Sequence, residues 1–212
     1  MQYSDALAFM AALGFASLFM VLQFLPFFRL RPFLKAGMAA ALAVSCFLSD
    51  LPLMWMGIGF ALSALGDFFL DLQDEKRFMW GLIAFFAAHI AYLVFLIPLM
   101  LPFEKFTAIE WGMCLGLAGL TIGFFLWLKP SLPKELAFPV TAYMAVLTVM
   151  GMAALTTTGS RLIPLGALLF IISDMVLAVD KFKSALPMGK PLNWALYASG
   201  QLLLALGVIW SV

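Results

Sequence analysis

The sequence predicts an all-α, polytopic integral membrane protein: a compact bundle of about eight transmembrane helices forming one domain over residues 1–212. Three observations predict it. Sixty-five per cent of the residues are apolar and 11% are charged, whereas roughly 25% are charged in an average soluble domain. Apolar runs long enough to cross a bilayer recur along the whole chain. The longest polar connection, near Lys181 to Pro191, is too short to fold as a soluble domain. Any ligand is therefore expected inside the bundle or at its mouth.

The spans fall at about 7–28, 33–49, 54–72, 78–99, 107–128, 136–157, 162–180 and 192–211. The first run follows Met1-Gln2-Tyr3-Ser4-Asp5, which lacks the cationic start of a signal peptide, so a retained helix is expected. The second run is near the lower length limit. Pro32, Pro52, Pro102, Pro130, Pro133 and Pro191 sit in or beside connections, where they can end helices. Pro26, Pro98, Pro139 and Pro164 lie near helix ends and are compatible with continuous spans. Cys46 and Cys114 both lie in apolar runs, so neither a disulfide framework nor a metal cluster is expected. A net charge of +1 gives no general basic surface, which argues against nucleic acid as a partner.

Orientation follows from the basic residues. Loops after the odd-numbered spans hold Arg29, Arg31, Lys35, Lys76, Arg77, Lys129, Lys134, Lys181, Lys183 and Lys190, ten of the twelve. The other side holds Lys105 and Arg161. Basic loops face the cytoplasm, so both termini are expected outside, with the bacterial inner membrane as the expected location. There is also an internal echo. Gly66-Asp67-Phe68-Phe69-Leu70 resembles Ser173-Asp174-Met175-Val176-Leu177 at an offset of 107 residues (174 − 67), which also carries Pro32 onto Pro139. A four-plus-four pseudo-repeat of parallel halves has this form, and chance likeness between apolar helices is the alternative.

Carboxylates inside a membrane helix cost on the order of 2.5–3.5 kcal/mol each on insertion scales, so the intramembrane polar residues carry the most information. Counting from the cytoplasmic helix ends at 1.5 Å per residue, Asp67 lies ~9 Å deep, Asp174 ~10 Å and Tyr143 ~12 Å. Asp71 is one turn nearer the cytoplasm, on the face of Asp67. These four converge on one level. Competing readings are a polar pair that only glues helices for Asp67 and Asp174, wetting by headgroups for Asp71 and Asp180, and aromatic packing for Tyr143. His89, the single histidine, and Tyr92 share a face of the fourth span; a packing role competes with a functional one there. Asn193, Tyr197 and Gln201 form a stripe at four-residue spacing on the eighth, suited to interhelical bonding or to substrate contact. Lys35 heads the second helix. With Arg29, Arg31, Lys181, Lys183 and Lys190 it has the charge to hold a phosphate, although the positive-inside rule alone places most of these.

Together these motifs resemble the YhhN-like lysoplasmalogenases, compact multi-helix membrane hydrolases. The resemblance rests on Gly66-Asp67…Leu70-Asp71, His89 with Tyr92, Pro139-Val140…Tyr143, Ser173-Asp174…Leu177-Ala178, Tyr197…Gln201, and Lys35 ahead of a small-residue helix. It spans about residues 30 to 205 and depends on the order and spacing of the motifs. It implies cleavage of the vinyl-ether bond of lysoplasmenyl-ethanolamine or -choline, with a lysophospholipid substrate drawn from membrane lipids. The products would be a fatty aldehyde and glycerophospho-ethanolamine or -choline.

The residue types suit that chemistry. An enol ether is hydrolysed by protonating its β-carbon, which leaves an oxocarbenium ion that water captures. One protonated acid and one carboxylate are needed, as in glycoside hydrolysis. Asp67 and Asp174 are the expected catalytic pair, with Asp71, Lys35, His89, Tyr92, Tyr143, Asn193, Tyr197 and Gln201 binding or supporting. The reaction requires no cofactor, and one histidine is too few for the usual zinc cluster. No serine stands at the depth of His89 to form a Ser-His-Asp arrangement.

The main rival is a proton- or ion-coupled small-solute transporter using the same intramembrane aspartates. It would favour a helix interrupted near mid-span, and the third and seventh spans are uninterrupted around Asp67 and Asp174. An intramembrane aspartyl protease also uses two aspartates, but Ala64-Leu65-Gly66 stands before Asp67 in place of the Gly-x-Gly common in such proteases. A purely structural protein is disfavoured by the cost of the buried carboxylates.

Overall fold

A computed structural model describes residues 3–72 and 74–209, with side chains from Ala6 onward. It contains eight α-helices: α1 (Tyr3–Leu22), α2 (Arg31–Leu48), α3 (Met54–Asp71), α4 (Glu75–Leu96), α5 (Ala108–Leu128), α6 (Lys134–Leu155), α7 (Leu162–Phe182) and α8 (Gly189–Ile209). Seven of them, α2 to α8, are long and apolar enough to cross a membrane, and the apolar part of α1 runs over Ala6–Leu22. The chain is a polytopic all-α membrane protein. Exposed tryptophans stand near helix ends, with Trp111 and Trp127 at opposite ends of α5, where indole rings meet headgroups.

Local sequence sets the ends of these helices. Apolar residues continue past Leu22 toward residue 28, yet α1 stops at Leu22. Pro26 disfavours helical backbone at Leu25 before it, and hydropathy alone does not register that restriction. Pro32 falls in the first turn of α2, where a proline forfeits no helical bond. Pro98 closes α4 in the same local way, turning Ile97–Leu99 into a 3₁₀ turn. The start of α5 is a capping box: Thr107 Oγ1 accepts from the Ile109 N–H at 3.1 Å, and Glu110 Oε2 accepts from the Thr107 N–H at 2.7 Å. Pro139 lies inside α6, which continues through it; only the bond to the carbonyl four residues earlier is lost.

The chain divides into two compact units. One holds α1 to α4 as far as Phe95, with Val208 and Ile209. The other runs from Leu96 to Gly207. In the first unit small residues let α3 and α4 approach. A methyl group on Gly59 would run into the Tyr92 ring, and one on Gly66 would lie 2.5 Å from Phe85. In the second unit α7 and α8 touch backbone to backbone: a methyl group on Gly166 would sit 2.7 Å from the Gly200 carbonyl oxygen, and one on Gly200 2.9 Å from that of Gly166. Close backbone approach through small residues is how membrane helices gain packing energy without a hydrophobic drive between them. Two connections of the second unit are also tied, the Leu101 N–H donating to the Thr156 carbonyl at 2.8 Å and the Thr158 N–H to that of Leu99 at 2.9 Å.

Candidate functional site

In the first unit the start of α2 meets the end of α3. Arg31 and Lys35 are four residues apart and so share a face of α2; Asp67 and Asp71 do the same on α3. The faces meet as two rungs. Arg31 Nη2 stands 3.2 Å from Asp71 Oδ1, and Lys35 Nζ stands 3.9 Å from Asp67 Oδ1. Asp67, Asp71 and Arg31 are buried, and the Lys35 side chain retains 15% exposure. The Arg31 guanidinium also lies over the Phe19 ring, 5.8 Å from its centroid.

Helix electrostatics does not explain this cluster. Cations are favoured at helix C-termini and anions at N-termini, yet Arg31 is the first residue of α2 and Asp71 the last of α3. Each charge opposes its own helix dipole and depends on its partner across the seam. Removing one member of such a pair typically costs about 3–5 kcal/mol, because the other is left buried and alone. Asp71 is therefore enclosed by protein and ion-paired, not a helix-end residue wetted by headgroups.

Deeper in the same unit, His89 is fully buried and its Nδ1 lies 2.6 Å from the Phe85 carbonyl oxygen. A carbonyl only accepts, so Nδ1 is the protonated nitrogen. Tyr92 is also fully buried, with its hydroxyl 3.0 Å from Ser63 Oγ and its ring edge-on to Phe60 and His89.

The second unit assembles the remaining residues from α6, α7 and α8. Tyr143 Oη donates to Asp174 Oδ2 at 2.5 Å. Asn193 Nδ2 donates to the carbonyl of Ser173 at 2.8 Å, which joins α8 to the backbone beside Asp174. One and two turns further along α8, Gln201 Nε2 donates to Tyr197 Oη at 3.2 Å, and the Tyr197 ring packs edge-on against Phe170. Asp180 acts locally, its Oδ1 accepting from the Leu186 N–H at 2.8 Å and shaping the α7–α8 loop. Lys183 reaches the end of α5, donating to the Trp127 carbonyl at 3.2 Å with its ammonium 3.9 Å from the centre of that indole ring.

Sequence reasoning placed Asp67, Asp71, Asp174 and Tyr143 at one level and set Lys35 apart at the head of α2; the pairing of Lys35 with Asp67 and of Tyr143 with Asp174 comes from the structure, while Arg31 was undervalued and Ser63 passed over. Arg31 was hidden by the positive-inside rule, which accounts for a basic residue before α2 without a partner. Its signal was the four-residue spacing of Arg31 and Lys35, matched by that of Asp67 and Asp71. Ser63 gave no signal beyond being one polar residue on an apolar helix.

Residues 30–208 match the YhhN family. The chain is 33% identical over 165 residues to the protein named lysoplasmalogenase TMEM86A of Bos taurus, covering 73% of this chain and 65% of that one. It is 31% identical over 189 residues to the lysoplasmalogenase of Mycobacterium tuberculosis (strain CDC 1551 / Oshkosh), covering 84% and 70%. With lysoplasmalogenase TMEM86B of Mus musculus it shares 35% over 149 residues, covering 69% and 60%. The chain therefore spans just under two thirds of the length of its bovine relative. No solved structure matches. The chain belongs to the YhhN family.

Proposed function

We propose that this protein is a lysoplasmalogenase, which hydrolyses the vinyl-ether bond of lysoplasmenyl-ethanolamine or -choline to a fatty aldehyde and glycerophospho-ethanolamine or -choline. Membership of a family whose relatives bear that name carries the reading. The chemistry consumes one water. A proton is added to the β-carbon of the vinyl ether, and the water oxygen is added to the carbon bonded to the ether oxygen. The resulting hemiacetal collapses to the aldehyde, and the glycerol oxygen leaves with a proton. We assign the two carboxyl roles, one protonated acid and one carboxylate that steadies the oxocarbenium ion, to Asp67 and Asp174. Each is held by a partner within its own unit, Asp67 by Lys35 and Asp174 by Tyr143. We further propose that the protein resides in the bacterial inner membrane with both termini outside the cytoplasm, from the ten-to-two distribution of its basic residues.

The test is product analysis with the purified full chain. Incubation with lysoplasmenyl-ethanolamine should release free aldehyde and glycerophospho-ethanolamine in equal amounts. Asp67→Asn and Asp174→Asn should each lower the rate at least ~100-fold, the scale of losing a general acid or base. Cleavage of an acyl lysophospholipid to fatty acid, with no aldehyde from the vinyl ether, would overturn the assignment.

A further inference from the structure

The Arg31–Asp71 rung is an unfinished ion pair. Arginine and carboxylate normally close as a two-bond fork. Here a single contact at 3.2 Å joins Nη2 to Oδ1. Arg31 Nε and Asp71 Oδ2 are both enclosed, and neither has a hydrogen-bond partner among the described residues. A buried unsatisfied donor or acceptor is costly, and this pair leaves one of each. A ligand that completes it must bring an anionic acceptor for Arg31 and a cationic donor for Asp71.

We propose that the Arg31–Asp71 pair is the docking point for a zwitterionic phosphoethanolamine headgroup. The phosphodiester offers two non-bridging oxygens to the Arg31 fork, and the ethanolamine ammonium offers N–H donors to Asp71 Oδ2. A phosphocholine headgroup meets only the first demand, since its quaternary nitrogen carries no N–H. A glycerol without phosphate meets neither.

Position agrees with this assignment, which rests on reading the chain as a lysoplasmalogenase. Arg31 and Asp71 are terminal residues of their helices, and Lys35 and Asp67 lie one turn further in. That turn corresponds to a step of ~6 Å along the helix. In a lysoplasmalogen five covalent bonds separate the phosphorus from the ether oxygen on the far glycerol carbon, also roughly 6 Å when extended. With the headgroup on the outer rung, the vinyl ether reaches the level of Asp67. Arg31 and Asp71 are thus binding residues that set headgroup preference.

The experiment measures binding of three saturated 1-alkyl-ether probes, which hold no double bond to cleave, to the full chain in detergent. One probe bears phosphoethanolamine, one phosphocholine, and the third is plain 1-alkylglycerol. The wild type should bind the first about 10-fold tighter than the second and about 100-fold tighter than the third. Since either single change strands a buried charge, the neutral double variant Arg31→Gln/Asp71→Asn carries the comparison, with helix content and melting confirming its fold. It should bind all three probes within about 3-fold of one another. Equal binding of the three by the wild type, or an unchanged order in the double variant, would overturn the proposal. So would inorganic phosphate binding the wild type as tightly as the phosphoethanolamine probe, which would mark a site for free phosphate. The expected order without any aldehyde from lysoplasmalogen would retain the headgroup site and reject the hydrolase reading. Aldehyde release with no headgroup order would do the reverse.

Discussion

Tyr143 on α6 donates a 2.5 Å hydrogen bond to Asp174 on α7, and this bond ties a titratable group of the second unit to a neighbouring helix. The tyrosine is buried while Asp174 keeps partial exposure, and the bond holds the carboxyl in one orientation.

Replacing that tyrosine separates orientation from packing. Tyr143→Phe keeps the ring and removes the donor. A hydrogen bond to a charged group contributes about 1.5–3 kcal/mol, so aldehyde release should fall roughly 10- to 100-fold, at ~1.4 kcal/mol per tenfold. Melting in detergent should fall by several degrees at most, at about 2–4 °C per kcal/mol for a chain of this length. An unchanged rate would remove Tyr143 from the site.

Packing between α7 and α8 makes a second prediction. Gly166→Ala drives a methyl group into the Gly200 carbonyl, and backbone does not yield as a side chain would. Overpacking of this kind costs about 1–3 kcal/mol, so the variant should melt measurably below the wild type. The control is Gly116→Ala on α5, where the added carbon meets nothing within 4 Å and stability should hold. Equal melting of the two variants would contradict the close helix contact.

The orientation in the membrane is open to chemical labelling. With Cys46 and Cys114 replaced, single cysteines at Phe27, Lys76, Lys134 and Ala185, all exposed positions, should be protected in intact cells from an impermeant thiol reagent. Cysteines at Asp50, Glu104 and Thr158, also exposed, should react. The reverse pattern would invert the topology.

Much of this arrangement is legible in the sequence, because a bilayer demands long apolar helices and penalises every charge within them. Hydropathy locates the helices to within a few residues. It errs at the end of α1, where Phe24, Leu25 and Phe27 are apolar but the backbone is governed by Pro26. The site is legible where depth is the signal, as for Tyr143 and Asp174. It is less so where the signal is which helices are neighbours. Arg31 reads as a topology marker until α2 and α3 are seen side by side, and Tyr92 shows its bond to Ser63 only when α3 and α4 are packed. His89 is enclosed and bonded to the carbonyl one turn back on its own helix, an arrangement invisible to spacing rules.

The decisive measurement follows the proton. Lysoplasmenyl-ethanolamine is hydrolysed by the wild type in D₂O, and the aldehyde is examined by mass spectrometry, with preformed aldehyde incubated in parallel to correct for exchange. If an aspartic acid protonates the vinyl-ether carbon, the aldehyde carries one deuterium on the carbon next to its carbonyl and the rate falls in D₂O, since proton transfer to carbon is slow. Asp67→Asn and Asp174→Asn should each suppress this product, and the saturated alkyl-ether analogue should remain intact. Aldehyde without deuterium at that carbon, or cleavage of the saturated analogue, would contradict vinyl-ether protonation.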